Sequence, residues 1–526
     1  MLDTVIIGAY FLGVLGIGFY HSRKKDTTRD YFLAGRHVGW FAVGASLFST
    51  NISSEHFIGL VGAGASSGLP VACYELGAAF CLFLLGWLFV PYYLRTKVFT
   101  MPEFLEKRFD ARSRRYLTLI SLFAYIFTKI SVHLYAGAIL MEQVAGWNYL
   151  TTSILLVLAT GIYTISGGLA AVIYTDLFQS IVLVAGAAAL TIVGLGEVGG
   201  FAGLRAALPA DYFHMIKPLS DPSYPWIGST IGVLILGIWY WCTDQSIVQK
   251  TLSARGISDA RKGTLLCAAL KILPLFILIV PGLIAKALFP AIVTGDNAFP
   301  TLVVRLLPPG LKGLLVAALM AALMSAMSSV LNSCSTLVTM DIYKKTHPNR
   351  SERQLVLFGR ITTGVVVLLS ILWIPVIPYL SNQLFQYLQS VQACVAAPIT
   401  AVFLVGVLWR GATAQAAFVT LVVGGLIGLA RFLLDVCRDA LHWNLGALEP
   451  VARFNFLNFA IVVFVLCVAM MVLLSKIGRE RSPAAIAELT FDWSAKGFAS
   501  LKGTTSDVVM TLAVAGTILG IWIHFS

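Results

Sequence analysis

Apolar runs of membrane-spanning length recur along this chain, separated by short polar or basic stretches. A transmembrane helix needs about 20 apolar residues and a barrel strand about ten. The runs cover about 2–20, 37–60, 70–94, 116–141, 150–165, 168–197, 226–248, 263–289, 312–341, 357–379, 383–408, 414–434, 454–475 and 506–524. Their lengths predict an all-α polytopic membrane protein with about 14 transmembrane helices. The second run breaks the pattern. Its stretch 48–59, FSTNISSEHFIG, holds Ser49, Thr50, Asn51, Ser53, Ser54, Glu55 and His56 where lipid-facing residues would be apolar. Small polar and β-branched residues compete with the helix for backbone hydrogen bonds. The stretch therefore predicts a helix unwound in mid-membrane, with free carbonyls that suit a Na⁺ ion. A continuous helix whose polar side chains bond to neighbouring helices is the alternative. Inverted repeats place a second interrupted helix five spans later. There, at 226–248, GIWYWCTDQ supplies Gly237, three aromatics and Asp244.

Composition agrees with the pattern. Of 526 residues, 58% are hydrophobic and 12% charged, against about 25% charged in soluble domains. The net charge is +12, and most of the Lys and Arg crowd alternate loops such as RTKVFTMPEFLEKRFDARSRR and KTLSARGISDARKG. The positive-inside rule makes that side cytoplasmic and both termini extracellular or periplasmic. Scattered in short loops, these basic residues do not read as a nucleic-acid surface. The first run has its basic residues behind it, so it reads as an uncleaved span. The eight Cys have no metal-ligand spacing.

Ionisable residues inside spans mark solute or ion paths. They are Glu55, His56, Glu75, Lys129, His133, Asp176, Asp244 and Lys271. An intramembrane metallopeptidase needs HExxH, and a serine protease a Ser/His pair in a GxSxG-like setting; the sequence has neither, which argues against an enzyme. A channel would pass ions without closing around a solute.

Seven segments carry a family likeness: DYFLAGR (30–36), STNISSEHFIGLVGAG (49–64), YTISGGLAAVIYTDLFQ (163–179), WYWCTDQSIVQKTL (239–252), ALKILPLF (269–276), NSCSTLVTMDIY (332–343) and LFQYLQS (384–390). The chain resembles the sodium:solute symporter family, and within it the sodium/glucose cotransporters. The resemblance implies a single transporter domain over 1–526. Its core would be a leucine-transporter-type five-plus-five inverted repeat, 37–197 and 226–408. One helix would precede the core, and accessory helices over 414–526 would follow. It also implies Na⁺-coupled symport of a neutral, glucose- or galactose-like sugar into the cell by alternating access. Na⁺ is the coupling ion, no organic cofactor is needed, and no obligate protein partner is evident. Rival solutes are myo-inositol, sialate or another sugar acid, and proline; a sodium-dependent sugar sensor is a further alternative.

Carried over by position, the sodium site falls on the carbonyls of Ser49, Ile52 and Ala322, the Ser325 hydroxyl and position 326. Ala326 departs from the family's usual Ser, so the ion loses a ligand or Ser328, Ser329, Ser53 or water fills in. Asp176, with Thr175, is a possible second sodium position; the alternative is an acid paired with Lys129 or a backbone group. The solute contacts fall on Asn51, His56, Glu75, Tyr240, Trp241, Lys271 and Gln389. Tyr240, Tyr74 and Phe385 would form gate or wall, and Asp244 would hold a helix end. Glu75 and Lys271 together carry no net charge, which favours a neutral polyol.

Overall fold

The computed structural model describes residues 2–21, 27–53, 55–291, 295–374, 384–439, 443–477, 486–494, 497 and 501–526. Among them the regular structure is helical, apart from two isolated β-bridges. Helix α1 (Leu2–Tyr20) precedes a helix in two pieces. Its first piece, α2 (Trp40–Asn51), stops at Ile52, whose backbone is extended (φ −75°, ψ 108°). The chain resumes at Glu55 through a π-helical turn, His56–Leu60, into α3 (Val61–Ser67). The helix is thus broken where the polar stretch predicts, and it runs past residue 60, where the apolar pattern ends.

Then come α4 (Ala72–Leu84), α5 (Met101–Arg108), α6 (Ala111–Ala124) and α7 (Ile130–Ala145). Helix α8 (Tyr149–Val198) is divided at Gly168 (φ 57°), matching the predicted boundary between segments 150–165 and 168–197. That conformation favours glycine, and a Cβ there would meet the Tyr31 carbonyl oxygen at 2.4 Å. The break frees carbonyls, and the buried Tyr31 hydroxyl of the DYFLAGR segment donates to Ile165 O at 3.1 Å.

The second interrupted helix is where the repeat argument puts it. A π-helical turn, α9 (Val233–Ile238) and another π-helical turn, Trp239–Thr243, lead to an extended Asp244 (φ −72°, ψ 128°) and then α10 (Gln245–Leu252). The two pieces meet at a 49° bend. The rest are α11 (Ile257–Leu270), α12 (Val280–Leu288), α13 (Leu311–Thr336), α14 (Glu352–Trp373), α15 (Leu384–Leu408), α16 (Ala414–Asp439), α17 (Phe456–Ile477) and α18 (Thr505–His524). Among the described residues, 10 helices are long and apolar enough to cross a membrane, or 11 with the bent pair. Three of the predicted segments are missing from that set for local reasons. The pieces at 40–67 are each too short, α8 counts once despite its break, and the helical stretch 111–145, with a π-helical turn carrying Lys129, is not in that set.

Helix α13 is the axis: 94% of its span window is buried, against 17% for α1 and α18. Small residues make this possible, since Ala and Ser let backbones approach closely. Its broadest partner is α8, where a Cβ on Gly186 would sit 2.7 Å from the Ala318 methyl. Two backbone bonds, Val38 N–H to Ser253 O and Arg255 N–H to Val38 O, both 3.1 Å, tie the approach to α2 to the exit from α10. The two interrupted helices are thereby joined at one end.

Candidate functional site

The break after Asn51 organises the site. In a continuous helix the Ser53 amide would donate to the Ser49 carbonyl; here it donates to His56 Nδ1 at 3.3 Å. A ring nitrogen that accepts carries no proton, so the neutral imidazole holds its proton on Nε2. That nitrogen lies 3.4 Å from Glu75 Oε1. The other Glu75 oxygen accepts from Lys271 Nζ, which also donates to Asn51 Oδ1. Lys271 caps the C-terminus of α11, just where the chain turns before Pro274. Its ammonium stands 5.5 Å over the Trp241 ring, against which Tyr240 packs edge-on at 5.2 Å. Asn51, His56, Glu75, Lys271, Tyr240 and Trp241 are therefore one constellation from four separate helical elements, all buried except the half-buried Tyr240. Tyr74 is half-buried beside Glu75 in sequence, a helical step of about 100° away from its face. Phe385 and Gln389 fall on α15, but their side chains lie outside the described residues.

A second buried cluster lies between α2, α8, α10 and α13. The Asp176 carboxylate, fully buried, accepts from Ser46 (2.6 Å), Thr50 (3.2 Å) and Lys250 Nζ (2.9 Å) on Oδ2, and from Ser325 (2.6 Å) on Oδ1. Its charged partner is Lys250, so the expected alternative pairing with Lys129 is corrected. Lys129 instead donates to Asp244 Oδ2 at 2.9 Å. Asp244 caps α10, with Oδ1 accepting from the Ser246 amide at 2.9 Å and Tyr125 at 3.0 Å. The predicted helix-end role of Asp244 is what the geometry gives. The Thr175 hydroxyl bonds back to Ala171 O and Val172 O, both at 2.9 Å.

Beside Ala326, whose methyl offers no ligand, Thr50 lies 3.0 Å from the Ser329 hydroxyl, bridging the broken helix to α13. Ser328 donates to Ser325 O at 3.0 Å. The Ser49 hydroxyl is buried without a hydrogen-bond partner among the described residues.

A family profile matches residues 31–424: the sodium:solute symporter family. The chain belongs to this family. It is a sodium-coupled solute symporter of many apolar helices, a membrane transporter and not an enzyme, with Na⁺ as coupling ion. Similar relatives include the sodium/myo-inositol cotransporter 2 of Bos taurus, 42% identical over 82% of this chain and 70% of that protein. The sodium/glucose cotransporter 2 of Rattus norvegicus is 40% identical over 88% and 76%. Among solved structures, a Na⁺-coupled sialic acid symporter in a substrate-bound outward-open state superposes with a TM-score of 0.80 at 23% identity, covering 92% of this chain and 99% of that one. A nucleobase-cation-symport-1 family transporter in a closed conformation gives 0.52 at 16%. These structures share the fold of this symporter.

Sequence reasoning missed Lys250 as a member of the symporter's polar interior. Lys250 reads as the first residue of a basic loop, yet only 1% of it is exposed. The signal was available: KTL follows an interrupted helix, and α10 continues inward after the Asp244 cap. Lys129 and Asp244 both stood among the intramembrane ionisable residues, but their pairing required the fold.

Proposed function

We propose that this symporter couples downhill Na⁺ entry to uptake of a neutral polyhydroxylated solute, a hexose or a cyclitol such as myo-inositol, by alternating access. The observation that carries the proposal is the Asn51–His56–Glu75–Lys271 constellation beside Trp241 and Tyr240. A carboxylate, an amide, an ammonium and an imidazole N–H supply both acceptors and donors, the demand of a ring of hydroxyls. The Glu75 carboxylate and the Lys271 ammonium cancel, so this pair favours a solute without charge of its own. Gln389, Tyr74 and Phe385 complete pocket and gate in this reading, with Tyr240 closing the inner side. The names of the relatives support hexose and cyclitol alike.

The coupling Na⁺ is assigned to the carbonyls of Ser49, Ile52 and Ala322 and the Ser325 hydroxyl, with Ser329 serving where Ala326 cannot. The Ser49 carbonyl, released by the turn of the Ser53 amide toward His56, supports this. At Asp176 the Lys250 ammonium already supplies a positive charge, which favours one coupling ion over a second sodium held by Asp176 and Thr175. The symporter is read as fourteen spans over 1–526, with repeats at 37–197 and 226–408 and accessory helices over 414–526. Both termini face outward from the plasma or inner membrane.

Competition of unlabelled solutes against labelled hexose and labelled myo-inositol uptake tests the solute class. Neutral polyols should compete, and proline and sialate should not. Competition by sialate or proline alone would overturn the reading.

A further inference from the structure

One buried acid has no place in the site described so far. Glu55 is the first helical residue after the break, between Ser53 and His56, and is 9% exposed. Its Oε1 stands 3.7 Å from His56 Nδ1. That nitrogen is engaged by the Ser53 amide, so it has no proton to offer. Its Oε2 is buried with no hydrogen-bond partner among the described residues. The neighbouring carboxylate differs: Glu75 has one oxygen on Lys271 and the other facing the Nε2–H of His56. The Tyr240 hydroxyl, hydrogen-bonded to Asn51, lies in the fields of Glu55, Asp244 and Glu75, so Glu55 stands at the edge of the Asn51–His56–Glu75–Tyr240 constellation. Lys129, Glu75 and His56 are the charged or titratable groups whose fields reach Glu55.

A buried carboxylate oxygen without a donor is strongly unfavourable. The positive N-terminal end of the resumed helix offsets part of this, but a dipole is not a hydrogen bond. A solute seated against His56 and Tyr240 would bring the missing donors. A solute hydroxyl carries a donor that Glu75, already occupied, cannot fully accept. Two neighbouring hydroxyls on a ring would meet a carboxylate edge.

We propose that Glu55 is a solute-specificity residue whose free carboxylate oxygen accepts from ring hydroxyls of the transported polyol; this rests on the neutral-polyol reading above. It assigns the acceptor role mainly to Glu55, and leaves Glu75 to hold Lys271, Asn51 and His56 in place. The selected solutes are those with a hydroxyl, or an adjacent pair, at the ring positions facing the break. Hydrogen bonds to an ionised group are the stronger class, so losing this one should weaken binding about ten- to a hundredfold.

The test compares wild type, Glu55→Gln and Glu55→Ala in proteoliposomes, using labelled hexose or myo-inositol competed by a panel of single-deoxy and deoxyfluoro analogues. In wild type at least one deoxy analogue should compete about tenfold or more weakly than the parent. In both variants the parent should weaken, and that same analogue should become equal to it. The Na⁺ concentration that half-protects against heating, measured without solute, should stay at the wild-type value in both. An unchanged discrimination pattern in the variants overturns the proposal. So does a variant effect that appears only as an altered pH dependence of uptake with the deoxy pattern intact, which would make Glu55 a proton site. If wild type takes up no neutral polyol at all, the parent reading fails instead, and this proposal with it.

Discussion

Replacing Asp176 by Asn preserves shape and removes one charge, which makes it a direct probe of the buried cluster. The Lys250 ammonium, with 1% of its side chain exposed, would lose the counter-ion that stands 2.9 Å from it. At an effective dielectric of about 20, two unit charges at that distance attract by about 6 kcal/mol. Desolvation offsets much of this, and breaking a buried pair on one side costs about 3–5 kcal/mol. The hydroxyls of Ser46, Thr50 and Ser325 would also exchange a charged acceptor for a neutral one, at about 1 kcal/mol each. Thermal unfolding of the purified protein in detergent should show large losses for Asp176→Asn and for Lys250→Met. The double variant should be more stable than the sum of the single losses predicts, with a coupling of at least about 2 kcal/mol. Electrical recording should give the wild-type charge-to-solute ratio in Asp176→Asn, because Lys250 rather than a second sodium neutralises the acid. Additive losses would refute the pairing, and a lowered ratio would restore the second sodium.

Other outcomes follow from the same geometry. Ser325→Ala should raise the Na⁺ concentration for half-maximal uptake about tenfold or more, since Ala326 offers no substitute oxygen; uptake titrated against Na⁺ checks this. Lys271→Ala should weaken solute affinity about ten- to a hundredfold while solute-free sodium protection survives; lost stability with normal affinity would make Lys271 a purely structural partner of Glu75. Arg108 donates to the carbonyls of Gly406 (2.6 Å), Trp409 (2.9 Å) and Ala412 (3.1 Å) at the end of α15. Arg108→Lys, which lacks the planar fork, should therefore lower thermal stability about as much as Arg108→Ala. Cysteines introduced at the exposed Ser66 and Ser258 should label oppositely with an impermeant thiol reagent, Ser66 from outside and Ser258 only after the membrane is opened.

Much of this was legible in the chain because lipid leaves few choices. Apolar run lengths mark the helices, and hydroxyls with an amide and a carboxylate inside one run mark its break. The topological count then located the second break, at Asp244. What escaped was the pairing. Lys250 and Arg108 sit among basic residues that serve as a topology signal, and nothing in their immediate neighbours separates a solvated cation from one inserted into the protein. Glu55 and Glu75 are alike as residues; only the fold distinguishes Glu75, held by Lys271, from Glu55, which keeps one buried oxygen without a partner among the described residues. The segment 61–69 falls between two of the apolar runs and so reads as a loop, yet Val61–Ser67 is helical, because close packing favours small residues as much as turns do. Such a contact is made to α12, where a Cβ on Gly282 would meet the Val61 carbonyl at 2.2 Å.

The central claim is that this constellation moves a neutral polyol on a sodium gradient. Purified protein in liposomes, given an inward Na⁺ gradient, should accumulate labelled hexose or myo-inositol above the external concentration. The overshoot should vanish with a sodium ionophore or with K⁺ in place of Na⁺. Uptake that only reaches the external concentration, or proceeds equally in K⁺, would contradict the account.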